Sequence, residues 1–323
     1  MTSFGYTLSS EEFGPGELVA QAQRAEQEGF EFAVISDHFH PWVDAQGQAP
    51  FVWATVGGVA TATSRIRLGT GVTCPMIRLH PAIVAQAAAT AAAMMPGRFF
   101  LGVGSGENLN EHITGNRWPP ASVRLEMLEE AVTVIRLLWQ GGTRSHHGRY
   151  YTVENARLYT LPDPLPPVYV AAAGGASASL AGRIGDGLIS VAPSAATVDR
   201  YRDAGGGDRP RYGQIHVCWA DSEKAGRETA LRVWPIAGIP GALNPELATP
   251  ALFEQAAQTV RPDDLGHLPA GPDPASYLET IRRYEEAGFT HLYFHQIGPD
   301  QEGFFRFWQT ELAPALGAHP PGD

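Results

Sequence analysis

A (β/α)₈ barrel is the fold this sequence predicts, and three observations predict it. Eight short β-rich runs recur along the chain, and each is followed by a helical stretch or an insertion. One run, residues 32–35, is apolar throughout, as in a parallel strand buried on both faces. A length of 323 residues suits one barrel domain carrying insertions, so residues 1–323 are expected to form a single α/β unit.

The elements follow in order. Residues 4–8 make the first strand. A helix begins near Pro15, places Leu18, Val19, Ala22 and Ala25 on one face, and stops near Gly29. After the strand at 32–35 come a helix over 51–63 and a third strand over 66–72. The helix over 81–95 stops at Pro96-Gly97, and a fourth strand follows at 99–103. A helix over 121–139 leads into a polar insertion, about 141–160, in which Arg149-Tyr150-Tyr151-Thr152 looks like part of a small hairpin. Further strands are expected at 168–172, 188–191, 214–219 and 291–295, with a last helix through 308–312. The Pro-, Gly- and Ala-rich run 235–273, with a short helix near 252–259, reads as an insertion between the seventh and eighth strands.

Composition narrows the class of partner. Net charge is −11 and no basic block occurs, which argues against nucleic acid and anionic membrane surfaces and leaves a small-molecule substrate. The apolar stretch 82–95 is short and contains Gln86, so it reads as a buried helix rather than a membrane anchor. Cys74 and Cys218 lack metal spacing, and with no signal-peptide pattern they read as reduced thiols of a cytoplasmic protein without a metal. Of 23 basic residues only Lys224 is a lysine, so no pocket within one chain can hold two lysines.

Barrel enzymes carry their chemistry on the loops after the strands' C-terminal ends. After the second strand, Asp37-His38 places an imidazole beside a carboxylate, a pair suited to acid–base work near neutral pH, with Trp42 four residues on. After the fourth, Gly104-Ser105-Gly106-Glu107 combines a turn whose backbone can approach a flat ring with a carboxyl group at the mouth. Taken alone it reads equally as a flexible turn with a solvated glutamate. It lacks the dinucleotide-binding pattern at the first βα turn. After the fifth, Ala173-Gly174-Gly175 enters a helix whose N-terminus suits a phosphate, although tight packing alone would explain the small residues.

Together these segments resemble the luciferase-like superfamily of flavin and deazaflavin enzymes. Within it they are similar to the F420-dependent dehydrogenases, the family of glucose-6-phosphate and secondary alcohol dehydrogenases. The resemblance spans nearly the whole chain. It rests on Ser36-Asp37-His38-Phe39-His40-Pro41-Trp42, on Thr73-Cys74-Pro75-Met76 with 81–86, on Gly104-Ser105-Gly106-Glu107 with Asn110-Glu111, and on Ala172-Ala173-Gly174-Gly175 with Gly185-Asp186-Gly187.

The resemblance implies coenzyme F420 (8-hydroxy-5-deazaflavin) as cofactor and a homodimer as assembly. His38 resembles the base that takes the alcohol proton as hydride leaves for C5 of the deazaflavin. Trp42 resembles the aromatic residue that positions substrate, and Glu107 the carboxyl group near the ring's N1–C2 edge. Asp37, Ser105, Gly106, Asn110, Ala173, Gly174 and Gly175 match cofactor-contacting positions, and Gly71-Val72 falls where the family has a non-proline cis peptide. Glu11, Cys74 and Trp234, with Trp42, match the substrate pocket.

One departure bears on the substrate. The sugar-phosphate members hold phosphate with two lysines and an arginine, and here Ser194, the region of Asn244 and the neighbourhood of His267 fall at those places. An uncharged alcohol/carbonyl pair is therefore expected. The alternatives are a sugar-phosphate dehydrogenase with a changed phosphate site and an FMN-dependent luciferase-like monooxygenase.

Overall fold

The computed structural model describes residues 2–239 and 241–318. Its strands in chain order are β1 (Ser3–Leu8), β2 (Phe32–Ile35), β3 (Arg67–Thr70), β4 (Phe99–Val103), β5 (Arg144–His147), β6 (Thr152–Ala156), β7 (Val168–Ala171), β8 (Gly187–Ser190), β9 (Arg211–Val217) and β10 (His291–Gln296). Eight of them close a parallel barrel in the order β1-β10-β9-β8-β7-β4-β3-β2, while β5 and β6 form a separate antiparallel hairpin. The expected (β/α)₈ barrel is the observed one.

The helices are α1 (Pro15–Gln27), α2 (Val52–Ala62), α3 (Pro81–Met94), α4 (Asn108–Glu111), α5 (Ala121–Trp139), α6 (Gly175–Ile184), α7 (Ala195–Tyr201), α8 (Glu223–Val233), α9 (Pro250–Ala257), α10 (Pro274–Glu286), α11 (Gln301–Phe307) and α12 (Ala313–Leu316). No described helix is long and apolar enough to cross a membrane.

Alternation along each strand divides two cores. Ala33 and Ile35 face the helices, whereas Phe32 and Val34 join Phe100, Tyr169, Ile189, Tyr212 and Tyr293 inside the barrel. The aromatic rings plug the interior: Tyr212 lies 5.0 Å from both Phe32 and Tyr169. The interior is thus filled by side chains. The same alternation turns Gln214 and His216 of β9, and Tyr293 and His295 of β10, inward, since Ile215, Val217, Leu292 and Phe294 belong to the outer core.

Several boundaries differ from those the sequence predicts. β3 stops at Thr70, the Gly71–Val72 peptide beyond it is cis, and Thr73 makes an isolated bridge to Val103. β9 begins at Arg211, earlier than its polar start suggests, because the Arg211 guanidinium is satisfied by the carbonyls of Gly288, Gly207 and Arg209. In the hairpin, Arg149, Tyr150 and Tyr151 form the turn rather than a strand. Their three backbone N–H groups donate to the Glu130 carboxylate of α5. In the second insertion, the short helix is α9, shifted two residues toward the N-terminus of its expected span.

Candidate active site

His38 stands at the centre of the barrel mouth, 8% exposed. The loop after β2 carries it, and three neighbours hold the ring. Its Nε2 lies 3.3 Å from Glu11 Oε1. Its Nδ1 lies 3.0 Å from the carbonyl of His40 and 3.1 Å from the side-chain nitrogen of Asn110. The indole of Trp42 packs against it with ring centroids 4.9 Å apart. Asn110 is placed by α4, and its Oδ1 accepts the N–H groups of Phe39 and His40, so it clamps the loop carrying His38.

Glu11 follows β1 and is 2% exposed. Its carboxylate accepts from the hydroxyls of Ser36 at 2.5 Å and Ser9 at 3.3 Å. Burial acts to raise its pKa. The facing His38, the Ser36 hydroxyl and the more distant His295 outweigh that and hold it below the usual glutamate value.

Asp37 points away from His38. Its Oδ2 accepts from the Thr73 hydroxyl at 2.7 Å, and its Oδ1 pairs with Arg78 at 2.7 Å. The imidazole–carboxylate pair at His38 is therefore made with Glu11, not with the adjacent Asp37. Arg78 also approaches Glu111 at 3.6 Å, which is too long to offset that carboxyl's burial. The Glu111 pKa is accordingly raised by burial, despite the backbone N–H groups of Ile77 and Arg78.

Gly104, Ser105, Gly106 and Glu107 follow β4. Gly106 has φ +68°, and a Cβ there would lie 2.6 Å from Cys74 Sγ, so both backbone sign and space call for glycine. Cys74 is buried in the core beneath this turn, and burial followed by the charges of Glu111 and Glu107 pushes its thiol pKa up. Glu107 is half-buried at the start of α4, where its carbonyl accepts the N–H groups of Asn110 and Glu111.

Val72 and Ala171 are only partly buried and pack on the aromatic plug. Ala173, Gly174 and Gly175 lie exposed at the N-terminus of α6. A Cβ on Gly174 would meet nothing within 4 Å, and one on Gly175 would meet only Arg200 Nε at 3.9 Å. That open backbone shelf at a helix N-terminus beside a guanidinium fits a phosphate-bearing cofactor. Trp234, at the end of α8, lies 7% exposed against His295, with ring centroids 4.3 Å apart.

Arg78, Glu12, His216 and His295 belong to the same neighbourhood without having been singled out by the sequence, whereas Glu111 falls in the Asn110-Glu111 pair of the resemblance. His216 and His295 meet only through the register of β9 on β10.

This barrel, with its charged cluster gathered at one mouth, defines the class. The profile of the luciferase-like monooxygenase family matches residues 1–291, and the chain belongs to that family. It is 38% identical to the F420-dependent glucose-6-phosphate dehydrogenase of Nakamurella multipartita, over 98% of this chain and 96% of that protein. It is 37% identical to the enzyme of the same name from Mycobacterium avium, over 97% of each. Among solved structures, it superposes on an F420-dependent secondary alcohol dehydrogenase in complex with an F420-acetone adduct with a TM-score of 0.90. Identity there is 32%, over 98% of this chain and 99% of that one.

Proposed function

We propose that this protein is an F420-dependent oxidoreductase that moves hydride between an uncharged alcohol/carbonyl pair and C5 of the deazaflavin. The relatives named above support the cofactor. The carrying observation for the chemistry is that a protonated His38 finds an acceptor at each ring nitrogen, the His40 carbonyl at Nδ1 and Glu11 at Nε2, with the Asn110 side-chain nitrogen also at Nδ1.

An alcohol gives up hydride readily only as its hydroxyl loses its proton. For His38 to act as the base, its neutral ring must carry its proton at Nδ1, donated to the His40 carbonyl, so that Nε2 is free to take the alcohol proton. Once it takes the proton, the imidazolium has both N–H groups accepted, and the Glu11 carboxylate meets its charge. Trp42 limits where the substrate can lie over this nitrogen. Trp42 and Trp234 give the pocket aromatic surface, while Cys74 lies under the Gly106 turn.

Coenzyme F420, when bound, supplies the carbon that accepts or donates hydride. Val72 and the turn Ser105-Gly106 would back its ring, with Asp37 and Asn110 acting through the loops they anchor. Ala173, Gly174 and Gly175 would hold its phosphate. Glu107 would serve as proton donor or electrostatic partner at the ring edge.

The names of the relatives favour one second reading, a sugar phosphate as substrate. The residues here argue against it. The Ser194 hydroxyl caps α7 by accepting from Thr197 N–H at 3.2 Å, His267 is exposed, and Lys224 is 86% exposed on α8. We further propose a homodimer, as the resemblance implies, and a cytoplasmic location, for which the two free cysteines speak.

Titration with oxidised F420, with FMN and NADP⁺ as controls, tests the cofactor through deazaflavin absorbance and fluorescence. Tight binding of F420 alone is expected. Binding of FMN in its place, with oxygen consumption, would move the protein to the monooxygenase branch.

A further inference from the structure

A second hydrogen-bonded chain enters the barrel mouth beside Glu11. The Ser9 hydroxyl bridges the two neighbouring carboxylates, 3.3 Å from Glu11 Oε2 and 3.1 Å from Glu12 Oε1. Glu12 Oε1 lies 3.0 Å from His295 Nε2, and its Oε2 accepts the Gly298 N–H at 2.8 Å. His295 Nδ1 in turn lies 2.9 Å from His216 Nδ1. His295 is 1% exposed, whereas His216 is partly open, and Trp234 covers both rings, at 4.3 Å and 5.5 Å. His216 and His295 are paired across β9 and β10, and both turn inward at the C-terminal end of the barrel.

The proton count along this chain is constrained. A carboxylate only accepts, so His295 carries a proton at Nε2. Two Nδ1 atoms 2.9 Å apart share one proton. His295 already donates from Nε2 to Glu12, so its Nδ1 is assigned as the acceptor and His216 as the donor from Nδ1, which leaves His216 Nε2 as a bare acceptor. Burial, and then the neighbouring His295, push the pKa of His216 down to about 3, which keeps its ring neutral. The groups facing the pair are Glu12 and Glu11 from the loop after β1 and Trp234 from the end of α8.

We propose that His216 Nε2 is a substrate-contacting acceptor for a second hydroxyl of the substrate, beyond the one whose proton His38 takes, and that Glu12 and His295 are positioning residues that fix its tautomer. This rests on the alcohol reading above. An apolar pocket discriminates weakly between small organic molecules, whereas a fixed acceptor left unpaired by the wrong ligand discriminates strongly. The partner recognised is a neutral hydroxyl, at a ring that Trp234 covers.

The test uses the full chain with F420 bound and ¹⁵N-labelled histidine, the His216 signals being identified by their loss in His216→Phe. The expected spectrum shows Nδ1 protonated and Nε2 bare, with the Nε2 signal moving when propane-1,2-diol is added. His295→Gln is expected to abolish that tautomer preference. In steady state, His216→Phe is expected to lower kcat/KM for propane-1,2-diol about tenfold, the size of one lost hydrogen bond, while kcat/KM for isopropanol and F420 affinity stay within about twofold. A His216 with the proton at Nε2, or with no response to propane-1,2-diol, overturns the proposal. Turnover by the parent protein separates the two readings. An active parent with Nε2–H on His216 contradicts only this proposal. A parent inert to every alcohol contradicts the substrate class and the hydroxyl contact together, even if the tautomer is as stated.

Discussion

Glu11 Oε1 lies 3.3 Å from His38 Nε2, with both side chains buried in the barrel mouth. A carboxylate in that position stabilises the imidazolium that a base becomes. His38→Ala should therefore leave F420 binding largely intact while cutting turnover by about 10²–10⁴-fold, the usual contribution of a general base. Activity that survives the substitution would mean that the proton goes elsewhere. Glu11→Gln keeps the shape and removes the charge, and a drop in kcat of about tenfold is expected with KM little changed. Because the Glu11 pKa is held below its ordinary value, its charge persists through the range where histidines titrate. An acidic limb in the rate profile above about pH 5 would thus not belong to Glu11.

Two inward-facing histidines predict how stability falls with acid. Burial takes His216 down to about 3 and His291 down to about 4, the latter helped by Arg67 and Arg211. A folded-state value below the unfolded one means that the unfolded chain binds the extra proton first. Stability is then fully present above about pH 6.5 and is lost as pH falls toward the folded values. Each histidine adds up to about 1.4 kcal/mol of loss per pH unit in that window. Urea unfolding at pH 7.0, 6.0 and 5.0 measures the slope. His291→Phe should flatten it, and an unchanged slope would show that His291 is not the source.

Arg78 is the counter-charge of a buried carboxylate. Its side chain is 6% exposed and that of Asp37 is 0%. Arg78→Leu leaves Asp37 buried with only the Thr73 hydroxyl, and a loss of about 3–5 kcal/mol is expected from denaturant unfolding. Asp37→Asn, which keeps the bond to Thr73, should cost less. Equal losses would show that packing, not charge, dominates here.

Two glycines should separate architecture from binding. A Cβ on Gly102 would lie 1.9 Å from the Thr70 carbonyl oxygen, so Gly102→Ala must push β3 and β4 apart and should cost about 3 kcal/mol or more. Gly174 has open space around it, so Gly174→Ala should change stability by less than about 1 kcal/mol. If the α6 N-terminus holds the cofactor's phosphate, Gly174→Ala should instead weaken F420 binding about tenfold. Fluorescence titration and thermal unfolding of both variants check the contrast.

The barrel was legible because its strands are short, apolar and regularly spaced, and because most helices begin or end at glycine or proline. Helices α7, α8 and α10 were not anticipated. α10 buries only Tyr277, Ile281 and Tyr284 on an otherwise charged surface, although that spacing after an Asp273 cap was a readable signal. Of the site, the loops carrying His38, Glu107 and Gly174 announced themselves as polar or small residues after strand ends. The partner of His38 did not, since Asp37 is adjacent in sequence yet turned toward Thr73 and Arg78. The His216–His295 contact spans 79 positions and exists only through strand register, which no local pattern encodes.

The central claim is hydride exchange between an uncharged alcohol and F420 at a site where His38 takes the proton. Its most direct measurement follows F420 absorbance on adding isopropanol or its 2-deuterated form, with the parent protein and His38→Ala side by side. Bleaching by the parent, slowed by deuterium, with the label recovered at C5 of the reduced cofactor and the variant at least a hundredfold slower, is the predicted result. F420 that binds tightly but is not bleached by isopropanol or any other uncharged alcohol would contradict the account.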